Sequence, residues 1–481
     1  MLYLIDSSAK NLSGHNLEYL ERISKNIKSE FLILGNMELT TNVNPKYRPT
    51  FEFSTWDFGR FGFARKNRNE RPSQNSKTLR PTIGLMLAEK YIEKFAAFLA
   101  KYSRSFVSIV SGFSKQSRCF RRDLSKGLRE VNPESTILVS TANARELIGL
   151  SRWIIESEPN RYSISVILRR PIVDLRSFIE LPLIFVDALV YISAIRKLAN
   201  KVKFCADTPG LAARISERSG KKIKYVAAMG FELQTKKSNP RLDVAIAPNS
   251  RRETRHGAQG LHSISDLRLQ AKVDLDSKKY RELLLTTRSI VLPYDPLRYR
   301  SRSSGVFAEA LTLGILPIVP TGTSMSREIT FLNSKILPSP EFIFELKAGK
   351  RIDLSQFGQE DLLITFKANN LCALVLEIFD STFGIRKSAH DFFETNSADS
   401  FLIRPSQRTL MSFHSDQTFP VQNNSLTIIV HNLEDRLFGA PYLEGDLHSV
   451  LSLTKKISFC RDGDFTIREH APASIRRVLG I

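Results

Sequence analysis

The stretch Ser289–Met325 decides the fold and reads SIVLPYDPLRYRSRSSGVFAEALTLGILPIVPTGTSM. Its first apolar run, Ile290–Leu292, predicts a buried strand. Ser304 can cap a helix over Gly305–Leu313, because its hydroxyl accepts a free amide of the first turn. The apolar run Leu316–Val319 predicts the next strand. The stretch therefore predicts one strand–helix–strand crossover of a parallel sheet.

The start of this helix is suited to an anionic ligand. A helix start presents unpaired amides and a positive dipole end, and ligands of open parallel sheets collect at the carboxyl ends of the strands. Gly305 has no side chain to obstruct an approach, and Arg302 precedes it closely. Glu309 follows one turn later and can accept two hydroxyl protons, as from a ribose. Its alternative interpretation is an interaction with the helix dipole.

Similar patterns continue outward from this stretch. Apolar runs alternate with helical periodicity, which predicts βαβ units and an α/β fold. Strands are predicted at Leu2–Ile5, Thr136–Val139 and Leu426–Val430, and helices at Ile83–Lys101 and Pro209–Ser219.

The domain division falls in the polar segment Gly230–Pro240. We predict an N-terminal Rossmann-like lobe over residues 1–235, with a basic insertion at about 40–105. A second Rossmann-like lobe covers 236–400. Residues 401–481, where the alternation weakens, form an appendix without an assigned role.

The chain is globular in composition and strongly basic. It has 481 residues, with 70 Lys and Arg against 49 Asp and Glu, a formal charge of +21. Between Arg60 and Arg129 there are 17 basic and 4 acidic residues, and an aromatic cluster at Phe51–Phe63 opens the segment. Three interpretations stay open for it: binding of bases and phosphates, docking on an anionic membrane surface, and a solvated insertion.

Cysteine usage and hydropathy indicate the compartment. The four cysteines have no metal-ligand or CxxC spacing, so neither a disulfide framework nor a zinc site is predicted. The N-terminus shows no signal-peptide pattern. The most apolar run, Ile179–Ile195, contains Glu180 and Asp187, which disfavours a membrane span. We expect a cytoplasmic protein and leave open a peripheral position on the inner face of the membrane.

The stretch Ser289–Met325 resembles the donor-binding segment of retaining GT-B glycosyltransferases of the family-4 kind, in a bacterial form with PYDP, RSSGVFAEAL and VPTGT. The resemblance implies two Rossmann-like lobes facing across a cleft. It also implies that Ser304 and Gly305 bind the diphosphate of a nucleotide sugar and that Glu309 holds the ribose. The family often has another glutamate eight residues earlier, where this chain has Ser301.

Two further segments carry the resemblance. VAIAPNSRRETRHG, at Val244–Gly257, is similar to the family's strand–turn segment, in which an arginine and then a lysine neutralise the donor diphosphate. Arg252 matches the arginine, and Arg255 is the nearest later cation. Gly14 and His15 are similar to the family's Gly-rich first loop, which implies contact of His15 with the donor sugar or acceptor. The second lobe is shortened between Arg252 and the PYDP motif.

The resemblance implies a hexosyltransferase-type enzyme of bacterial polysaccharide biosynthesis. It would transfer a sugar from a nucleotide-sugar donor to a glycan or lipid-linked acceptor, with retention of configuration. Arg252, helped by Arg255 or Arg302, would stabilise the leaving diphosphate, so no metal or cofactor is expected. An anionic membrane surface is an optional partner, and nucleic acid is not expected. Two alternatives stay open: a nucleic-acid-binding protein on a Rossmann-like scaffold, and a catalytically degenerate glycosyltransferase fold acting as a binding module.

Overall fold

The chain forms two compact units, Met1–Met229 with Ala471–Ile481, and Gly230–His470. They are seen in a computed structural model that describes residues 1–9, 17, 19–21, 23–24, 30–37, 46–53, 83–102, 114–129, 131–132, 134–157, 162–173, 181–226, 242–246, 284–300, 303–358, 360–368, 372–380, 385–393, 398–415, 425–443, 446–460, 475–477 and 479. The sequence placed the division at residue 235.

The first unit is built on a seven-stranded, wholly parallel sheet with the strand order β3-β2-β1-β4-β5-β6-β7. The order reverses between β1 and β4, which makes this point a topological switch point of a Rossmann-like sheet. The predicted α/β class with a Rossmann-like parallel sheet is thus confirmed. The strands are β1 Leu2–Ile5, β2 Phe31–Asn36, β3 Tyr47–Phe51, β4 Thr136–Val139, β5 Ser163–Leu168, β6 Val202–Ala206 and β7 Lys224–Tyr225.

Helices cover this sheet, and local capping signals define their ends. Thr208 caps α5 through a 3.2 Å bond from the Leu211 amide, Pro209 takes the first turn, and Gly220 ends the helix at φ 64°. Five helices of the unit have defined bounds: α1 Ile83–Tyr102, α2 Lys115–Gly127, α3 Ala144–Glu156, α4 Leu181–Leu198 and α5 Pro209–Ser219. Their buried faces form one large apolar cluster with the sheet.

Helix α4 contains most of the apolar run noted in the sequence. Its Asp187 accepts hydrogen bonds from the Arg145 guanidinium at 2.6 and 3.1 Å, which ties α4 to α3. Among the described residues, no helix combines the length and the apolar character that crossing a bilayer requires.

The second unit contains a four-stranded parallel sheet with the order β20-β10-β9-β8. Its strands are β8 Leu242–Ile246, β9 Thr287–Val291, β10 Leu316–Pro320 and β20 Ala440–Tyr442. The helices described in this unit are α6 Pro296–Tyr299, α7 Gly305–Leu313, α8 Ser324–Asn333 and α9 Leu447–Thr454, and β19 Arg436–Leu437 pairs with β21 Ser458–Phe459. The predicted β9–α7–β10 crossover is present.

Eight antiparallel strands between β10 and β20 form a sandwich that the sequence did not predict. One sheet has the order β11-β18-β13-β16 and the other β12-β17-β14-β15, which is the strand arrangement of a jelly roll. The strands are β11 Phe342–Lys347, β12 Arg351–Asp353, β13 Leu362–Ala368, β14 Cys372–Asp380, β15 Ile385–Phe393, β16 Ala398–Ile403, β17 Thr409–Ser415 and β18 Ser425–Asn432. The interior is packed with apolar side chains, among them Phe366, Phe401 and Phe413.

The jelly roll changes the predicted layout of the second half. The boundary expected at residue 400 falls inside β16, and residues 401–481 are not an appendix. In that segment β17 and β18 complete the sandwich, and β20 joins the parallel sheet beside β10. These pairings join strands distant in sequence, which local patterns do not encode.

Candidate functional site

Helix α7 begins at the carboxyl end of β9, in the loop that the sequence singled out. The Ser304 side-chain oxygen accepts a hydrogen bond from the Phe307 amide at 3.2 Å. The Tyr294 hydroxyl lies 3.0 Å from the same oxygen, and both side chains are buried. The Ser304 hydroxyl is therefore engaged in fixing the helix start. This leaves first-turn backbone amides as the groups suited to an incoming anion.

Space is open beside the first helical residue, Gly305. The residue is exposed, and a Cβ added to it would meet no heavy atom of the described residues within 4 Å. Free first-turn amides and the positive end of the helix dipole favour negative charge at such a point. An anionic group can therefore approach the backbone here without displacing a side chain.

Glu309 lies on the same helix one turn further on, with 3 % of its surface exposed. Its helical neighbours Ala308 and Ala310 are also buried. A buried carboxylate needs polar or charged partners to offset the cost of leaving water. The structure thus places Glu309 beside the open helix start but with little exposed surface, and its contact with a ribose stays a prediction.

The structure brings together Ser304, Gly305 and Glu309 on one helix. The other predicted site residues lie outside the part of the chain that the structure describes: Gly14, His15, Arg252, Arg255 and Arg302. Their roles therefore stay predictions.

Two tyrosines that sequence reasoning left unassigned shape the loop ahead of α7. The rings of Tyr294 and Tyr299 are stacked with centroids 4.2 Å apart and an interplanar angle of 16°. The Tyr299 amide donates to the Asp295 carbonyl at 2.9 Å, which closes the single turn of α6. The spacing of the two tyrosines around a proline in YDPLRY is the sequence signal that could have indicated this folded loop.

The loop after β10 leads into α8 at the same edge of the sheet, and a buried side chain of the protein itself occupies the start of this helix. Gly322 has φ 89°, a conformation that favours glycine, and its amide donates to Asp399 Oδ2 at 2.8 Å. The Ser326 hydroxyl donates to the same oxygen at 2.9 Å. Asp399 is fully buried and belongs to β16. The jelly roll therefore supplies an internal anion to the start of α8.

The carboxyl edge of the seven-stranded sheet carries a polar cluster that sequence reasoning missed. Asp6, directly after β1, is buried; its Oδ2 accepts from the Ser140 hydroxyl at 2.6 Å and its Oδ1 from the Ser8 amide at 2.8 Å. Burial raises the pKa of Asp6 above its usual value, and the bonds from Ser140 and Ser8 oppose this shift. Because Ser140 follows β4, the contact joins the two strands at the switch point.

Helix α3 starts at this edge and is capped by its own residues. The Asn143 side-chain oxygen accepts from the amides of Arg145 and Glu146, both at 2.9 Å. The Glu146 carboxylate accepts from the Asn143 amide at 3.0 Å and from the Ser7 hydroxyl at 2.7 Å. This capping box uses amides that would otherwise attract an anion, so the start of α3 is not a candidate site.

Within the described residues, no group of three or more His, Cys, Asp or Glu side chains is arranged to hold a metal ion.

Comparisons with known proteins give no family. No family model matches the sequence, and no curated protein matches it. A crystal structure of CapF with the inhibitor 3-isopropenyl-tropolone is 8 % identical and covers 66 % of this chain and 94 % of its own, with a TM-score of 0.13. A structure of the capsular polysaccharide assembling protein CapF from Staphylococcus aureus is also 8 % identical, covering 65 % and 92 %, again with a TM-score of 0.13. At this TM-score neither likeness bears on fold or function.

Proposed function

We propose that the chain is a retaining glycosyltransferase that moves a sugar from a nucleotide diphosphate sugar to a glycan or lipid-linked acceptor. The observation that carries the proposal is the open start of α7. Gly305 borders free space at the carboxyl end of a parallel strand, and the Ser304 cap fixes the helix behind it. Diphosphates are held at such helix starts in open α/β sheets.

The contrast with α8 supports this choice of site. Both helices start at the carboxyl edge of the same parallel sheet, but the start of α8 is occupied by the buried Asp399 carboxylate. An external anion would have to compete with that carboxylate at α8, whereas Gly305 borders open space at α7. The donor diphosphate is therefore assigned to α7.

The chemistry follows from the charge on the leaving group. Breaking the bond between the anomeric carbon and the diphosphate oxygen develops negative charge on that oxygen, which preorganised donors stabilise without reorganising. In this proposal the first-turn amides of α7 supply part of that stabilisation. Arg252, Arg255 and Arg302 supply cationic charge, and binding positions the donor against the acceptor.

The proposal includes the finer arrangement that the resemblance implies, with two Rossmann-like lobes facing across a cleft and His15 of the first loop contacting donor or acceptor. The parallel sheet in each unit supports it, because each supplies a carboxyl edge of the kind at which such proteins bind ligands. The jelly roll is an addition to that arrangement within the second unit.

An anionic membrane surface as a partner is supported by one face of α1. Tyr91, Phe95 and Phe98 recur at helical spacing and are 51, 56 and 56 % exposed. Phe95 also stacks on Phe185 of α4, with ring centroids 5.4 Å apart. The helix lies within the basic segment Arg60–Arg129, and rings beside lysines and arginines suit the headgroup region of an anionic bilayer.

The test is calorimetric titration of the full chain with UDP and GDP. Gly305→Leu places a side chain in the open space and is expected to weaken nucleotide binding at least about tenfold, by blocking close approach to the amides. Gly210→Leu is the matched control, because Gly210 also lies in the first turn of a helix, and no atom in the described part of the chain comes within 4 Å of a Cβ added there. Glu309→Gln is expected to weaken binding of the nucleotides more than binding of inorganic pyrophosphate, because it changes the ribose contact and pyrophosphate has no ribose.

Two results would overturn the proposal. The first is absence of binding of either nucleotide to the unaltered chain. The second is equal nucleotide affinity of the Gly305→Leu and Gly210→Leu chains, which would place the nucleotide away from α7.

A further inference from the structure

Arg169 occupies a position in the first unit that the proposed function does not use. It is the first residue after β5, at the carboxyl edge of the seven-stranded sheet. Asp6 follows β1 and Asp207 follows β6 at the same edge, because all these strands are parallel. Ligands of open parallel sheets bind at this edge near the switch point.

Two contacts hold the Arg169 guanidinium in place. Its Nε donates to Asp207 Oδ2 at 3.1 Å, and Asp207 is buried. Its central carbon lies 4.6 Å from the centroid of the Tyr19 ring, within the range of a cation–π contact. Burial acts to lower the pKa of Arg169, but Asp207, Tyr19 and Asp6 outweigh it and keep the pKa above its usual value. The group is therefore a fixed and permanent cation.

The terminal nitrogens of Arg169 have no hydrogen-bond partner among the residues that the structure describes. The side chain is 22 % exposed, so it reaches solvent although its Nε is paired inside. Within the described part of the chain, the hydrogen bond of this guanidinium is the one from Nε to Asp207. A guanidinium fork of this kind matches the two oxygens of a carboxylate or a phosphate group.

The hydroxyl of Tyr19 is a second, independent observation that points to a ligand at this edge. Tyr19 is 4 % exposed, and among the described residues its hydroxyl has no hydrogen-bond partner. Buried hydroxyls are normally paired, because an unmade bond leaves their desolvation uncompensated. The pKa of Tyr19 is raised by burial, with Arg169 lowering it and Asp207 and Asp6 raising it, so the ring lies in the field of this cluster.

We propose that Arg169 and the Tyr19 hydroxyl bind an oxyanion of a small molecule at the carboxyl edge of the seven-stranded sheet. A ligand with one negative charge, a carboxylate or a phosphodiester, fits best because the carboxylates of Asp207 and Asp6 lie beside Arg169. Arg169 and Tyr19 bind the ligand, and Asp207 is a positioning residue. The site uses residues of the first unit alone and does not depend on the function proposed for α7.

Calorimetric titration of the full chain, without nucleotide, tests the site. The probes are glucuronate for the carboxylate, dimethyl phosphate for the phosphodiester and glucose as the neutral counterpart of glucuronate. At least one anion is expected to bind, and glucose is expected to bind about tenfold or more weakly. The reason is that hydrogen bonds to charged groups are stronger than those between neutral groups. The anion that binds more tightly identifies the chemical class of the ligand.

Three variants and one control make the test specific. Arg169→Lys keeps the positive charge but loses the two-pronged guanidinium, and Arg169→Gln loses both. Each change is expected to weaken binding of the anion about tenfold to a hundredfold. Tyr19→Phe removes a hydroxyl that has no hydrogen-bond partner among the described residues, so it should weaken binding of the anion without lowering thermal stability. Arg121→Gln removes an equal charge from the exposed pair with Glu156 and should leave binding unchanged.

The proposal fails if neither anion binds the unaltered chain, or if the Arg169→Lys and Tyr19→Phe chains bind the anion as tightly as the Arg121→Gln control. Should Arg169→Gln prevent folding by removing the bond from Arg169 to the buried Asp207, the other two variants still decide the question. None of these results changes the expected effect of Gly305→Leu on nucleotide binding.

Discussion

Replacing Asp399 by alanine removes the internal anion at the start of α8. Its Oδ2 accepts from the Gly322 amide at 2.8 Å and the Ser326 hydroxyl at 2.9 Å, and its Oδ1 accepts from the Ser400 amide at 2.8 Å. The Ser326 hydroxyl keeps a partner, because it also lies 2.8 Å from the Thr323 carbonyl. Asp399→Ala therefore leaves two buried backbone amides without an acceptor.

These contacts give the expected magnitude. Each buried donor left unpaired costs about 1–3 kcal/mol. Loss of a negative charge at a helix start adds about 0.3–1 kcal/mol. The free energy of unfolding of the second unit should fall by about 4 kcal/mol, within the range seen when a buried polar network is broken.

Urea unfolding can be followed separately for the two units. The two tryptophans, Trp56 and Trp153, both belong to the first unit, whereas circular dichroism follows both units. Asp399→Ala should shift the dichroism transition of the second unit to lower urea by about 2 M. This assumes a typical dependence of the unfolding free energy on urea of about 2 kcal/mol per molar. The tryptophan midpoint should not move.

The control is Asp435→Ala, which removes an exposed carboxylate of the same unit. A dichroism transition for Asp399→Ala that coincides with that of Asp435→Ala would refute the role of the carboxylate. An equal shift of the tryptophan midpoint would contradict the expectation that the loss is confined to the second unit.

Two other predictions concern the first unit. Cys205 is fully buried, its thiol donates to the Val166 carbonyl at 3.3 Å, and burial raises its pKa to about 12. It should therefore stay protonated at pH 8 and react with a disulfide reagent at least about tenfold more slowly than the partly exposed Cys119, as read by peptide mass spectrometry; equal labelling would contradict this. The double change Phe95→Ser and Phe98→Ser should reduce binding to phosphatidylserine vesicles about tenfold, while Ile155→Ser, at an apolar side chain that is 52 % exposed, should not; equal binding of both variants would remove α1 from the membrane contact.

The elements that the sequence predicted well are those with local end signals. Helix α5 has its bounds as predicted, because Thr208, Pro209 and Gly220 mark its two ends. Helix α7 is likewise bounded by a serine cap and by Gly314, which has φ 68°. The parallel sheet of the first unit follows from alternation of strands and helices, which is a short-range pattern.

The jelly roll could not be read in the same way, although part of its signal is present. Strand β18 alternates buried and half-buried residues with period two, and its central part was predicted. Its partners, however, are β11 and β13, and the register between them is set by contacts across the sandwich. Sequence patterns identify such strands singly but do not assign them to two facing sheets.

The site was predictable to the extent that it lies on one helix. Gly305 and Glu309 share α7, so their proximity follows from helical spacing. Arg169 follows β5, Asp207 follows β6 and Tyr19 lies between β1 and β2 in the sequence, and nothing in the spacing of these residues predicts that they meet. Charged residues placed directly after parallel strands are nevertheless a signal, because such positions converge on one edge of a sheet.

Comparing the starts of α7 and α8 in the second unit shows how a helix start that stabilises the fold differs from one that can bind a ligand. Both α7 and α8 begin with a hydroxyl cap, Ser304 and Thr323, that accepts an amide of the first turn. At α8 the remaining attraction for negative charge is met by Asp399 of the jelly roll, so that start is complete when the chain is folded. At α7 no atom of the residues seen in the structure comes within 4 Å of a Cβ added to Gly305. A helix dipole that the fold neutralises contributes to stability, whereas one that ends at open space favours an anion from solution. Asp399→Ala tests the first case through the stability of the second unit, and Gly305→Leu tests the second case through nucleotide binding.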